Sequence, residues 1–351
     1  MKRVIQLGTV LIFFLLLLAV ALQMPLKIVP EPTLLEKRAL ASRPHLKSIR
    51  EVASDDFLNG FTAYVNDNFG FRKIFIRLNN LIDLKVLKTP SNQDIILGAE
   101  SMLFSRSADW NGVIKKHTNY TDAQIAAGAK RVRDFQDRLR SHGKEFLFVF
   151  APNKATIYPE LLIAHKYLLN PLSERERWLM ALKSAGVNSL DVAPMILDAK
   201  QKRLLYYNGD HHWNRFASLM ASQLIVDTFA SRMNVPAPRF EITGVRPDGW
   251  ERAGGGSYDE MLGVKATRVN EEPIVKVSGN KLPRGVVFGD SFLHWLYLDQ
   301  ASENFESVAD LSEVEKFAMA INRADTKFVL VHMWEANSNK LIDNKVWDIG
   351  K

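Results

Sequence analysis

Val286-Val287-Phe288-Gly289-Asp290-Ser291-Phe292-Leu293 decides how the rest of the chain is read. A short apolar run of bulky residues predicts a strand buried on both faces. Gly289 and Asp290 end it, and the apolar spacing beyond Ser291 predicts a helix over 292–298. A strand, a tight turn and a helix in immediate succession place Ser291 at the carboxyl edge of a sheet, where ligands bind in open α/β folds. The N–H groups at the helix start face any oxyanion formed there. Two readings of the turn stand side by side: an N-cap by Asp290 or Ser291, and a nucleophile at Ser291.

Outward from this unit, short apolar runs alternate with amphipathic ones. Residues 145–150, 187–190, 204–207, 274–277 and 327–332 read as further strands. Helices are predicted over 121–142, with Thr121 or Asp122 as cap and Gly143 as stop, and over 173–185, 193–202, 213–233 and 312–323. Residues 94–97 and 102–104 read as strands around Gly98. The alternation predicts an α/β fold, a three-layer α/β/α sandwich with a mostly parallel sheet. Residues 236–263 have little periodicity and contain Gly254-Gly255-Gly256, and so read as a long functional loop.

At the other end, Lys2 and Arg3 precede an apolar stretch from Val4 to about Leu26 whose centre, residues 10–22, holds no polar side chain. About 20 such residues cross a hydrocarbon layer. Ala19-Val20-Ala21 also offers a small-x-small cleavage pattern, but the run continues past it, which suits an uncleaved anchor. Residues 1–28 are therefore expected to be a membrane anchor with the N-terminus inside and the body exported. Residues 29–93 read as a polar, proline-marked stalk and two lead-in helices over 55–87. Residues 94–351 read as the main domain.

The second chemical segment is Tyr206-Tyr207-Asn208-Gly209-Asp210-His211-His212-Trp213-Asn214. A neutral histidine is the natural base for a serine nucleophile, provided a carboxylate holds its other nitrogen. Asp210 lies two residues before His212, close enough to hold its ring across a turn. Capping by Asp210 and metal ligation by the paired histidines are the competing readings, the latter without a His-Glu-x-x-His pattern or a clustered third ligand. Serine, histidine and aspartate at the ends of separate strands make the constellation for acyl transfer or ester hydrolysis.

The 351 residues carry a net charge of +7, with 24% charged and 47% apolar residues, which excludes disorder. No cysteine is present, so disulfides, thiolate metal sites and a cysteine nucleophile are excluded. The basic balance suits a lipid surface or an acidic polysaccharide. No basic run with interleaved aromatics points to nucleic acid.

Gly289-Asp290-Ser291-Phe292 resembles the nucleophile block of SGNH hydrolases. Asp210-His211-His212-Trp213 resembles the Asp-x-His-Trp block of the alginate O-acetyltransferase branch, the AlgJ, AlgX and DHHW-type proteins, in which it also precedes the serine block. Asn68-Phe69-Gly70-Phe71-Arg72, Ile96-Leu97-Gly98 and Ala151-Pro152-Asn153-Lys154 are similar to that branch's amino-terminal half. The organisation resembles AlgJ most, because no carbohydrate-binding module is seen after residue 335.

The resemblance implies Ser291 as nucleophile, His212 as base, Asp210 as its orienter and His211 at the variable position. It implies a membrane-anchored O-acetyltransferase acting on a polysaccharide in the periplasm from the inner membrane. A multipass membrane-bound O-acyltransferase would be the acetyl donor, and neither cofactor nor metal is expected. The oxyanion and substrate contacts are open, with Asn153, Lys154, Trp213 and Gly256 as candidates, and with Arg72 and Arg252 as further cations for an acidic sugar. An esterase with the same triad and a non-catalytic scaffold of an acylation machine are the alternatives.

Overall fold

The computed structural model describes residues 2–32, 34, 39–46, 48–114, 120–162, 172–252, 256–264 and 270–350. The chain divides into two compact units, residues 1–92 with 257–265, and residues 93–256 with 266–351.

The first unit opens with α1 (Lys2–Leu26), whose segment Ile5–Leu26 is long and apolar enough to cross a membrane. Helix α2 (Asp55–Asn68) starts where the Ser54 side chain accepts the Phe57 N–H, and Asp55 and Asp56 suit the positive end of its dipole. Helix α3 (Arg72–Ile82) follows after the turn Phe69-Gly70-Phe71, in which Phe71 is left-handed at φ 65°. A π-helical stretch, 83–87, extends it.

The second unit begins with the antiparallel hairpin of β1 (Ile95–Leu97) and β2 (Leu103–Ser105). Then come α4 (Asp122–Ser141), β3 (Glu145–Ala151), the single turn α5 (Lys154–Ile157), α6 (Glu174–Ser184), β4 (Ser189–Asp191), α7 (Ala193–Ala199) and α8 (Arg215–Met233). The ribbon of β5 (Arg239–Pro247) and β6 (Glu271–Ser278) is antiparallel. Strands β7 (Gly285–Gly289), β8 (Phe305–Val308) and β9 (Phe328–Trp334) complete a five-stranded sheet of order β4-β3-β9-β7-β8, parallel throughout.

Strand alternation builds the layers. Phe146, Phe148 and Phe150 of β3 pack with Ile125, Val132 and Phe135 of α4 and with Trp178 and Leu182 of α6. Leu147, Val149 and Ala151 of the same strand face the other way, onto Ile196 of α7 and Phe216, Ile225 and Phe229 of α8. Each fully buried side chain of this kind contributes about 1.5–3 kcal/mol. Both faces of the sheet are thus covered, as its all-parallel pairing requires. Capping boxes at Thr121/Gln124 and Ser173/Glu176 fix the starts of α4 and α6.

Four local expectations change. Residues 204–207 form no strand: Tyr206 makes an isolated antiparallel bridge to Trp213, so the histidine turn closes on itself. Residues 239–247, read as loop, form β5, whose side chains are mostly exposed and whose brief alternation at Phe240 and Ile242 is broken by the irregularity before Gly244. Its partner β6 accordingly leaves the main sheet. The segment after Ser291 is a 3₁₀ turn, Ser291–Trp295, with a separate helical turn at Leu298–Ala301. Strand β8 is an addition to the expected strands, because Phe305-Glu306-Ser307-Val308 has too few apolar residues to signal an edge strand.

Candidate active site

Strand β7 delivers Ser291 to the carboxyl edge of the sheet, and the turn is held by its aspartate. Asp290 Oδ1 accepts the Phe292 N–H at 3.2 Å, while Oδ2 accepts the Trp334 N–H at 2.6 Å and the Asn337 Nδ2 at 2.7 Å. The cap reading of Asp290 is therefore correct, and it coexists with an exposed Ser291. Burial raises the Asp290 pKa, opposed by these three donors and by the nearby His212. At Gly289 a Cβ would lie 2.1 Å from the His332 carbonyl oxygen, so no larger residue fits between β7 and β9.

The histidine turn is built differently. Its hairpin closes through Tyr207 N–H to His212 O and Asn214 N–H to Leu205 O, at 3.2 and 2.9 Å. The Lys154 ammonium, 1% exposed, donates to the carbonyl oxygens of Leu103 and Tyr207 at 2.8 and 2.7 Å, and more weakly to that of Asn208. Tyr207 donates its hydroxyl proton to Asp248 at 2.6 Å. Asn214 caps α8 by accepting the Phe216 and Ala217 N–H groups. Trp213 is fully buried against Phe292 and His332.

The two turns meet at their reactive atoms. His212 Nε2 lies 2.7 Å from Ser291 Oγ, and His212 Nδ1 lies 2.5 Å from Asp210 Oδ1. A carboxylate only accepts, so Nδ1 carries the proton and Nε2 is left to accept from the serine hydroxyl. Asp210, 1% exposed, also accepts the His212 N–H at 2.7 Å, which fixes the ring to its own backbone. Phe292 and Trp295 wall the imidazole at ring distances of 4.6 and 5.9 Å. His211 stacks on His212 at 4.0 Å and on Trp334 at 4.8 Å, and its Nδ1 is 3.5 Å from Asp210. Asp210, His211 and His212 bring ligand atoms within 4.8 Å of one another, but both nitrogens of His212 are already engaged.

The chain matches the family model described as "SGNH hydrolase-like domain, acetyltransferase AlgX" over residues 95–274, just over half its length. It belongs to that family. The matched residues include Asp210 and His212 and stop before Ser291. Among curated proteins, the alginate biosynthesis protein AlgX of Pseudomonas aeruginosa is 25% identical over 107 residues, which is 29% of this chain and 22% of the relative. Less than a quarter of that relative's length is thus matched. The solved structure of Pseudomonas aeruginosa AlgX has the same fold, with a TM-score of 0.50 at 16% identity over 68% of this chain and 61% of that one. The O-acetyltransferase domain of Pseudomonas putida AlgJ gives a TM-score of 0.49 at 16% identity, covering 71% and 92%.

Within this SGNH acetyltransferase-type domain, the four other candidates fare unequally. Lys154 and Trp213 are closed off from any sugar, one as a buried brace of the histidine turn and the other as packing beneath it. Asn153 is buried but lines a cavity of about 380 Å³ together with Ala108, Trp334, Glu335, Asn337 and Ser338. Its Nδ2 donates to the Ala108 carbonyl at 3.2 Å and its N–H to Glu335. Gly256 is buried at φ 139°, just before the helix Ser257–Leu262. Gly254, Gly255 and the Arg252 side chain lie outside the described residues, and Arg72 belongs to α3 of the first unit.

Trp334 and Asn337, which hold the serine turn, were missed from sequence. The signal is their position, Trp334 at the end of β9 and Asn337 just beyond it, at the same sheet edge as Ser291.

Proposed function

We propose that this protein is a membrane-anchored O-acetyltransferase that carries its acetyl group on Ser291 and passes it to a polysaccharide hydroxyl. The observation that carries the reading is the hydrogen-bonded relay Asp210–His212–Ser291 in a domain of an acetyltransferase family. As the Ser291 oxygen attacks the donor's carbonyl carbon, its proton moves to His212 Nε2, and Asp210 stabilises the imidazolium that forms; the bond between the acetyl group and the donor then breaks, and His212 Nε2 gives the proton to the departing donor atom. The Phe292 N–H is taken by the Asp290 side chain and the Leu293 N–H by the Asp290 carbonyl. That leaves the N–H of Ser291 itself as the oxyanion donor at this turn. In the second half-reaction His212 takes the proton of the acceptor hydroxyl, a new ester C–O bond forms, and the bond to Ser291 Oγ breaks with the proton returned to that oxygen.

The relatives named for alginate biosynthesis support a polysaccharide acceptor of that kind. The cavity bounded by Trp334 and Asn337 adjoins the serine turn and suits one sugar of such a chain. Lys2 and Arg3, ahead of the apolar segment Ile5–Leu26, support an inside N-terminus and a periplasmic catalytic unit at the inner membrane. A multipass membrane-bound O-acyltransferase is the fitting acetyl donor, since α1 would hold both proteins in one plane.

The test is turnover of a chromogenic acetyl ester with and without acetyl-free polymannuronate oligosaccharides. Acetylated oligosaccharide as the main product supports transfer. Free acetate alone, whatever the acceptor, would make the protein an esterase.

A further inference from the structure

Outside the triad, the first unit leaves an unusual surface uncovered. Phe75, Leu78, Ile82 and Val86, spaced 3, 4 and 4 residues apart on α3 and its extension, are 48%, 50%, 53% and 70% exposed. Four large apolar groups on one stripe are far more than the scattered exposure a soluble surface shows. The same segment, 72–88, carries Arg72, Lys73, Arg77, Lys85 and Lys88 against one acid, Asp83, which accepts from Asn79. By helical spacing, Lys73 and Arg77 fall on the face opposite the stripe.

A second observation fixes where this helix begins. The turn Phe69-Gly70-Phe71 touches α1 itself: a Cβ on Gly70 would lie 2.2 Å from the Val20 carbonyl oxygen and 2.6 Å from Gln23 Cβ. Val20 is six residues short of the end of α1 at Leu26, about 9 Å at the α-helical rise. The turn and its aromatic group Phe69, Phe71 and Phe75, with ring distances of 6.3 and 6.4 Å, therefore sit below the end of the apolar helix.

We propose that α3 lies in the membrane interface as a basic amphipathic helix, its Phe75–Leu78–Ile82–Val86 stripe in the acyl region and its cations among anionic headgroups. An apolar stripe opposite Lys and Arg is the pattern of helices that bind at the headgroup–acyl boundary. The proposal rests on the reading of α1 as a membrane span. It adds that the first unit is held by two elements rather than swinging on one.

The absence of cysteine allows a direct test. Leu15→Cys, Leu78→Cys and Ile82→Cys are each made in the full chain, labelled with an environment-sensitive fluorophore and reconstituted in vesicles of phosphatidylcholine and phosphatidylglycerol. Emission is quenched either by spin-labelled lipids or by aqueous iodide. The proposal expects loss of emission with lipid labels at all three sites, deep labels acting best at 15 and shallow ones at 78 and 82, with iodide weak throughout. Lipid quenching at 15 but not at 78 and 82 would overturn it, whether iodide or a protein neighbour covers the stripe. No lipid quenching at 15 would instead overturn the span on which it rests.

Discussion

The turn that carries Ser291 leaves a strand paired on both sides, whereas the turn that carries His212 leaves no strand at all. Strand β7 lies between β8 and β9 in the sheet, and the serine turn needs only Asp290 to finish it. The histidine turn hangs on one isolated bridge and is held by a buried lysine, a tyrosine–aspartate bond and a helix cap. One half of the relay is thus positioned by regular backbone and the other by side chains. Damage to the first should unfold the protein, and damage to the second should misplace the base.

The reacting atoms themselves come first. Ser291→Ala should lower acetyl transfer by roughly 10⁴-fold or more without a change in melting temperature, and His212→Ala should be similar. His211→Ala should lose far less, because its ring stacks on the base rather than touching the serine. If His211→Ala is the more severe of the two, the assignment of the base is wrong.

Gly289→Ala probes the regular half. Its methyl group has no room against the His332 carbonyl, so the strands must part, costing about 3 kcal/mol of stability. Chemical denaturation measures this, and a shift within error of zero would contradict the account. Lys154→Met probes the other half. It keeps the volume but strips the Leu103 and Tyr207 carbonyls of a charged donor, costing about 2 kcal/mol. Here activity should fall further than the lost stability explains, read as lower kcat in protein shown to be folded.

The smallest effect at neutral pH belongs to His332, beneath the point where the halves meet. It is fully buried, neither ring nitrogen has a hydrogen-bond partner among the described residues, and burial pushes its pKa down to about 3. The unfolded chain therefore takes up a proton below about pH 6.5 that the folded chain refuses. Stability should fall as pH drops from 6.5 toward 3, by about 2 kcal/mol at pH 5. His332→Phe should remove that part of the acid slope while leaving the neutral value nearly unchanged.

What the sequence revealed follows the same division. The helix over 122–141 and the strands at 145–151 and 285–289 were legible because periodicity and caps are local signals. Ser291 was legible as a residue on a tight turn after a buried strand, and Asp210 and His212 as an Asp-x-His pair just before a helix, although only the serine turn leaves a strand. The braces were not. Lys154 reads from sequence as a candidate substrate contact, since nothing local shows that three carbonyls from two distant segments converge on it. Trp334 and Asn337 reach Asp290 only through the pairing of β7 with β9, a contact between residues more than 40 apart in the chain. Strand β5 is hard to read because its alternation, Phe240 and Ile242 between Arg239, Glu241 and Thr243, lasts about five residues before the irregularity between Ile242 and Gly244 breaks it.

The most direct measurement is intact-mass analysis of the full-length protein in detergent after incubation with a chromogenic acetyl ester. The account predicts one added acetyl group, mapped by peptide analysis to Ser291, absent from Ser291→Ala and lost on addition of an acceptor oligosaccharide. No adduct on the native chain, or an adduct that survives Ser291→Ala, would contradict it.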